Sequence, residues 1–379
     1  MPSFADLGVS NAVARALAAR GITEPFAVQR LVVPDVLAGR DVLAKSPTGS
    51  GKTLAFGVPI VERIDANAAR RPAALILAPT RELAVQIVEE TAAIAHARAL
   101  RVTAVYGGVG LVKQAREAAR SHIVVATPGR LEDLLERRAF TLAGVEILVL
   151  DEADRMLDMG FRPAVDRIVA QCRAQRQTLF FSATLDGEAG RVAAEYTRDA
   201  VRHEHAPERR RRADVEHRFV AAERDDRLDA LVGELRPRDV ERTLVFVRTK
   251  RGADRLVKRL GREGVAAVAM HGDKSQRQRE KALAAFSAGR IDTLVATDVA
   301  ARGIDVDGIS HVINFDAPED RETYVHRVGR TGRAGSTGVG ITFVAAEQAR
   351  DVSRIATELS LEREFAAAGL QTSQTRRRR

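Results

Sequence analysis

The 379-residue sequence predicts two tandem α/β domains, each a mostly parallel sheet with helices on both faces. Three observations lead there. The length exceeds what one hydrophobic core ordinarily serves and suits two, since domains cluster near ~100–200 residues. Short apolar runs at 74–78, 102–106, 123–126, 147–150 and 178–181 are each followed by a longer stretch with helical spacing, as expected of strands covered on both faces by crossover helices. The same rhythm then restarts after residue 215, with runs at 243–247, 265–270, 293–296, 311–315 and 340–344.

Between the two series runs 202–212, a charge-dense segment that ends in Arg209-Arg210-Arg211-Arg212 and has little to bury. It reads as an exposed connection. The domains are accordingly placed at 1–205 and 217–365, with a linker at 206–216. Helical spacing runs through 351–365, and 366–379 reads as a basic, disordered tail ending in four arginines.

Composition narrows the function classes. Hydrophobic residues make up 45% and charged residues 29% of the chain, which fits a globular protein. Sixty Lys and Arg against 51 Asp and Glu leave a formal charge of +9, favouring polyanionic partners. Cys172 is the only cysteine, which excludes an intramolecular disulfide and a cysteine zinc cluster and suits a reducing compartment. Residues 1–17 lack the apolar core of a signal peptide, and no run reaches the ~18 apolar residues of a membrane span. A cytoplasmic protein without membrane association is expected.

In doubly wound sheets ligands bind where loops leave the carboxyl ends of the strands, and the chemistry-bearing clusters fall there. After the apolar stretch 41–44 comes Ser46-Pro47-Thr48-Gly49-Ser50-Gly51-Lys52-Thr53, followed by a helix-like run. Its glycines free backbone N–H groups to wrap a phosphate, Lys52 can reach the terminal phosphates, and the Thr53 hydroxyl can ligate Mg²⁺. Ser46 stands where such loops usually begin with glycine. The aliphatic run 147–150 ends in Asp151-Glu152-Ala153-Asp154. A carboxylate at a strand end is suited to the metal, which assigns Asp151 there, and the next, Glu152, to the attacking water.

With these motifs in hand the sequence resembles the DEAD-box RNA helicases over nearly its whole length, as a minimal two-domain core of bacterial type. The resemblance implies two tandem RecA-like domains, ATP and Mg²⁺ as cofactors, and RNA as partner. It implies that Gln29, within the segment 21–29, reads the adenine edge and that Phe4 serves as the upstream aromatic; Ile22 and Phe26 depart from that motif, standing where an aromatic and a threonine are common. Ser46, Thr48, Gly49, Ser50, Gly51, Lys52 and Thr53 are implied to hold the nucleotide. Pro79-Thr80-Arg81, Gly107-Gly108 and Thr127-Pro128-Gly129-Arg130 are implied to grip RNA in the first domain, contacting phosphate and ribose, which carry no sequence information. Asp154, Ser182, Thr184 and His326 are implied to couple the site to the second domain.

In the second half the resemblance makes Arg330 and Arg333, within His326-Arg327-Val328-Gly329-Arg330-Thr331-Gly332-Arg333, arginine fingers for the γ-phosphate. The density of arginine there requires solvent, acid or phosphate as partner. Thr297, Asp298, Arg302 and Gly303 are implied to meet RNA and Asp305 the ATP ribose, while Arg248, Gln276 and Arg279 complete the RNA set. The expected activity is RNA-stimulated ATP hydrolysis coupled to interdomain closure, with backbone-directed RNA binding and local unwinding of short duplexes or remodelling of RNA–protein complexes. Ribosomal or RNA-decay assemblies are the possible settings, and a monomer is expected. A DNA translocase and a non-catalytic RNA clamp are the rival readings; the Gln29 motif argues against the first, and the presence of Lys52, Glu152, Arg330 and Arg333 against the second.

Overall fold

In the computed structural model, residues 2–46, 50–65, 67, 72–185, 187–204, 215–236, 241–301, 306, 308–332 and 337–370 are described. The chain divides into two compact units, Met1–Glu208 and Arg209–Arg379. Thr48, Gly49, Arg302, Gly303, Asp305, Arg333, most of the expected linker and the terminal arginines lie outside the described residues.

The first unit holds a sheet of seven strands: β1 (Val42–Lys45), β2 (Ala74–Leu77), β3 (Val102–Val105), β4 (Ile123–Ala126), β5 (Ile147–Leu150), β6 (Gln177–Ser182) and β7 (Val201–Glu204). They lie in the order β3-β4-β2-β5-β6-β1-β7. The second holds β8 (Val215–Ala221), β9 (Thr243–Phe246), β10 (Ala267–Met270), β11 (Thr293–Ala296), β12 (His311–Asn314) and β13 (Gly338–Val344), in the order β10-β11-β9-β12-β13-β8. The second order repeats the first strand for strand and lacks only a counterpart of β7. Every pairing among the described strands is parallel.

The two-residue period of a strand sends alternate side chains to opposite faces, and both faces here are apolar. Ile76, Val125, Val149 and Phe181 pack into one core with Phe56, Ile60 and Val61 of the helix Lys52–Arg63. Their neighbours Leu75, Val124, Leu148 and Phe180 pack into a second core with Leu131, Leu134 and Ile168. In the second unit Val245, Val295 and Ile313 share one core, and Leu244, Leu294 and Val312 another. A strand buried on both sides leaves function only its ends, which places the chemistry on the connecting loops.

Two strands escape the apolar-run criterion. The charged stretch expected to be an exposed connection begins inside β7, which pairs with β1 from Val42↔Val201 to Lys45↔Glu204. β8 starts at Val215, within the expected linker, and pairs with β13 over seven residues. Both are edge strands with polar residues on a half-exposed face, the position where a sheet tolerates charge.

Candidate nucleotide site and nucleic-acid interface

The strand order sorts the first unit's motif loops into two groups. At the carboxyl ends of the neighbours β5, β6 and β1 stand Asp151–Asp154, Ser182–Thr184 and the Ser46–Thr53 loop. At those of β3, β4 and β2 stand Gly107–Gly108, Thr127–Arg130 and Pro79–Arg81.

In the first group Ser46 is fully buried, its N–H donates to the Ser182 carbonyl at 2.9 Å, and its hydroxyl lies 2.5 Å from that of Ser50. Ser46 is not among the residues with left-handed backbone, so serine replaces glycine there without strain. Gly51 does need its freedom: its φ is +85°, and a Cβ would stand 2.5 Å from the Phe26 ring and 2.7 Å from the Gln29 amide nitrogen. Lys52 opens the next helix with 7% of its surface exposed, and its Nζ has no hydrogen-bond partner among the described residues. A buried ammonium without a partner is costly and suits an anion arriving at a helix N-terminus.

Asp151 is 2% exposed and continues the ladder by donating its N–H to the Leu77 carbonyl. Burial pushes its carboxyl up to about 6; Glu152 and Asp154 push the same way, and Lys52 draws it back. Asp151, at the end of β5, and Thr53, in the first turn of the helix Lys52–Arg63, supply a carboxylate and a hydroxyl, the hard oxygen donors that suit Mg²⁺. Glu152 is held at φ 50° and ψ 51°, a left-handed conformation that costs a non-glycine residue about 1–3 kcal/mol and recurs at functional sites. Its carboxylate pairs with Arg155 one turn along. Asp154 Oδ2 accepts from the N–H groups of Ala183 and Thr184 at 3.0 and 3.1 Å and from the Thr184 hydroxyl at 3.4 Å. A hydrogen-bonded chain therefore runs from Ser46 through Ser182 and Thr184 to the acid cluster.

Gln29 is 2% exposed, accepts from the Phe26 N–H at 2.8 Å and donates to the Gly51 carbonyl at 2.9 Å. That leaves one amide hydrogen and one lone pair for a base edge. Phe4 differs from expectation: its ring is 2% exposed within the core and offers no open face to a base. The aromatic with an open face beside Gln29 and Gly51 is Phe26, 59% exposed.

In the second group the Arg81 guanidinium lies over Gly107 and Gly108, and a Cβ at Gly108, whose φ is +91°, would stand 2.5 Å from it. Thr80 caps the helix Arg81–His96, and Pro128 opens the helix Pro128–Glu136. Arg130 donates to the Val109 carbonyl at 3.0 Å and to Gln114 Oε1 at 2.9 Å. These bonds, both from one guanidinium nitrogen, hold the glycine loop against the helix.

In the second unit Thr297 follows β11, Arg248 follows β9, and Gln276 opens the helix Gln276–Ser287. Gln276 is 7% exposed and donates to Glu280, and Arg279 lies one turn along the same helix. His326 is exposed on the helix Arg321–Val328, and Arg330, just beyond it, is buried. Both oxygens of Asp298 accept from Arg327, at 2.6 and 2.7 Å, which ties the residue after β11 to the helix Arg321–Val328.

A model of the DEAD/DEAH box helicase family matches residues 26–192, and one of the helicase conserved C-terminal domain matches 226–335. Over 346 residues the sequence is 42% identical to the DEAD-box ATP-dependent RNA helicase CshA of Geobacillus kaustophilus, an alignment covering 91% of this chain and 74% of that protein. The chain belongs to the DEAD-box ATP-dependent RNA helicases. It is thus an ATP-hydrolysing, RNA-binding enzyme with two RecA-like domains. This DEAD-box helicase is also 42% identical over 352 residues to the ATP-dependent RNA helicase CshA of Listeria monocytogenes, covering 91% of the chain and 66% of that protein. Its fold matches that of S. cerevisiae Dbp5 bound to RNA and ADP BeF3 with a TM-score of 0.83 and 28% identity, over 96% of this chain and 94% of that one.

Sequence reasoning about the helicase missed the residues that hold its second unit's loops in register. Arg327, 4% exposed, also donates to Asn314 at 3.0 Å and to the Asp316 carbonyl at 2.7 Å, and lies 5.1 Å from the Phe246 ring centroid. Asp316 in turn pairs with the buried Arg227 and accepts from the Arg248 N–H at 2.7 Å. The available signal was the arginine surplus of 326–333, which demanded an acid somewhere, although spacing alone did not say which. Arg327 is buried but Asp298 is 30% exposed and keeps access to water. Arg327→Ala is therefore expected to destabilise the second unit by about 1.5–3 kcal/mol, the loss of charge-assisted hydrogen bonds, read as a lower urea midpoint; an unchanged midpoint would contradict this.

Proposed function

We propose that ATP hydrolysis in this helicase is divided between its halves, 1–205 and 217–365 joined by 206–216, and is completed only when ATP and RNA bring the two together. Lys52 and the Ser46–Thr53 backbone hold the β- and γ-phosphates, Gln29 reads the base, and Thr53 with Asp151 would hold Mg²⁺. The ion, when bound, neutralises charge on the phosphate oxygens. Glu152 orients a water for in-line attack on the γ-phosphorus and takes up its proton. The water oxygen bonds to phosphorus as the bond to the β–γ bridging oxygen breaks, and ADP leaves. Arg330 and Arg333 stabilise charge gathering on the transferring group.

Arg81, Gly107, Gly108, Thr127 and Gly129, with Thr297, Arg248, Gln276 and Arg279, hold the RNA backbone without reading its sequence. Asp154, Ser182, Thr184 and His326 couple this grip to the nucleotide. A strand held along both halves cannot remain in a regular duplex, so closure releases its partner, and loss of the γ-phosphate reopens the grip. The observation carrying the first half's part in this reading is the sorting of its loops: the phosphate, acid and coupling motifs leave β1, β5 and β6, while the RNA-type loops leave β2, β3 and β4 of the same sheet.

The proposed setting is a cytoplasmic monomer acting on short duplexes or on ribosomal or RNA-decay assemblies. No helix among the described residues is long and apolar enough to cross a membrane. Phosphate release is the test. Single-stranded RNA should raise turnover strongly, and equal rates with and without RNA would overturn the proposal.

A further inference from the structure

The first unit carries a basic groove that none of the motifs occupies. It lies along β3, an edge strand paired only with β4 among the described residues, beside the helix Leu111–Ala118, and is open to solvent over about 880 Å³. Arg101, Lys113, Arg116 and Arg120 line it against a single carboxylate, Glu117. All four cations are exposed, and Glu117 meets Lys113 only at 3.9 Å across an exposed i,i+4 pair, a contact worth a few tenths of a kcal/mol. The excess of three positive charges equals a third of the chain's formal +9.

Lys113 and Arg116 stand three residues apart on one face of the helix, and Arg120 follows in the turn just past its C-cap, Ala119. The helix begins just beyond Gly110, where the Gly107–Gly108 loop passes into it. Arg130 ties that loop to the helix through Val109 and Gln114. From that loop the groove runs along the helix toward the amino end of β3, so a strand leaving the glycine loop would meet Lys113 and Arg116 first and Arg120 and Arg101 beyond them.

We propose that this groove is a second RNA-backbone site, binding the phosphates of strand that extends past the motif loops. It rests on the reading that those loops bind RNA. Guanidinium and ammonium groups on an open helix face suit phosphate oxygens, and they would lengthen the footprint without adding sequence preference.

The test compares full-length protein with the triple variant Lys113→Gln/Arg116→Gln/Arg120→Gln, whose exposed positions leave the cores untouched. Binding of oligouridylates of about six and about twenty-four nucleotides is measured with a non-hydrolysable ATP analogue at several salt concentrations. The variant should lose roughly tenfold or more in affinity for the long strand, and its log K against log salt slope should flatten by about 2, three contacts at ~0.7 each. Its binding and ATPase stimulation by the short strand should match wild type. Unchanged long-strand affinity would overturn the groove site and leave it to another occupant, such as an acidic segment added at the β3 edge. Equal losses on both strands would also overturn it. Wild type that binds neither strand would sink the underlying RNA reading as well.

Discussion

Replacing Glu152 by glutamine is expected to leave ATP and RNA binding intact while slowing phosphate release by about 10²–10⁴. The substitution removes the charge that pairs with Arg155, but the glutamine amide oxygen still accepts from that guanidinium, so the left-handed backbone at φ 50° and the helix Ala153–Asp158 persist. What disappears is the carboxylate that accepts a proton from water. Nucleotide titration should give wild-type affinity, and single-turnover phosphate release should collapse. Without hydrolysis the RNA complex should outlive that of the wild type. Normal turnover in this variant would remove Glu152 from the chemistry.

Arg330→Ala should be costlier, lowering RNA-stimulated kcat by about 10³–10⁵, the range over which arginine fingers act on phosphoryl transfer. An interaction made only in the transition state lowers kcat and leaves KM for ATP nearly unchanged. Arg330→Lys keeps a charge but not the planar fork, so it should recover little. Arg330 is 7% exposed, so a thermal melt of each variant is needed to show that the fold has survived. A well-folded Arg330→Ala protein with wild-type kcat would contradict the assignment.

Much of the fold is legible because strands covered on both faces are nearly continuous runs of apolar residues. Ile147–Leu150 and Thr293–Ala296 match that signature to the residue. β7 and β8 are not legible, since an edge strand such as Val201–Glu204 alternates half-buried and exposed positions and reads as charged linker. At the site, Lys52, Asp151 and Asp154 are legible because a phosphate loop and an acid-terminated strand each make chemical sense within a few residues. Asp298 and Arg327 were not, because their pairing is 29 residues apart in sequence and is fixed only when β11 and β12 bring their loops together. The exposure of Phe4 and Phe26 was not legible for a similar reason. Which ring has an open face depends on packing, and Phe4 is absorbed by the core while Phe26 is left beside Gly51.

The central claim is that ATP and RNA favour one closed arrangement of the two halves. Linkage then requires each to tighten the other by the same factor. The direct measurement is the affinity for a non-hydrolysable ATP analogue with and without saturating single-stranded RNA, paired with RNA affinity with and without the analogue. The account predicts two equal gains of about 5–150-fold, a coupling of about 1–3 kcal/mol. Affinities that are independent of one another would contradict it.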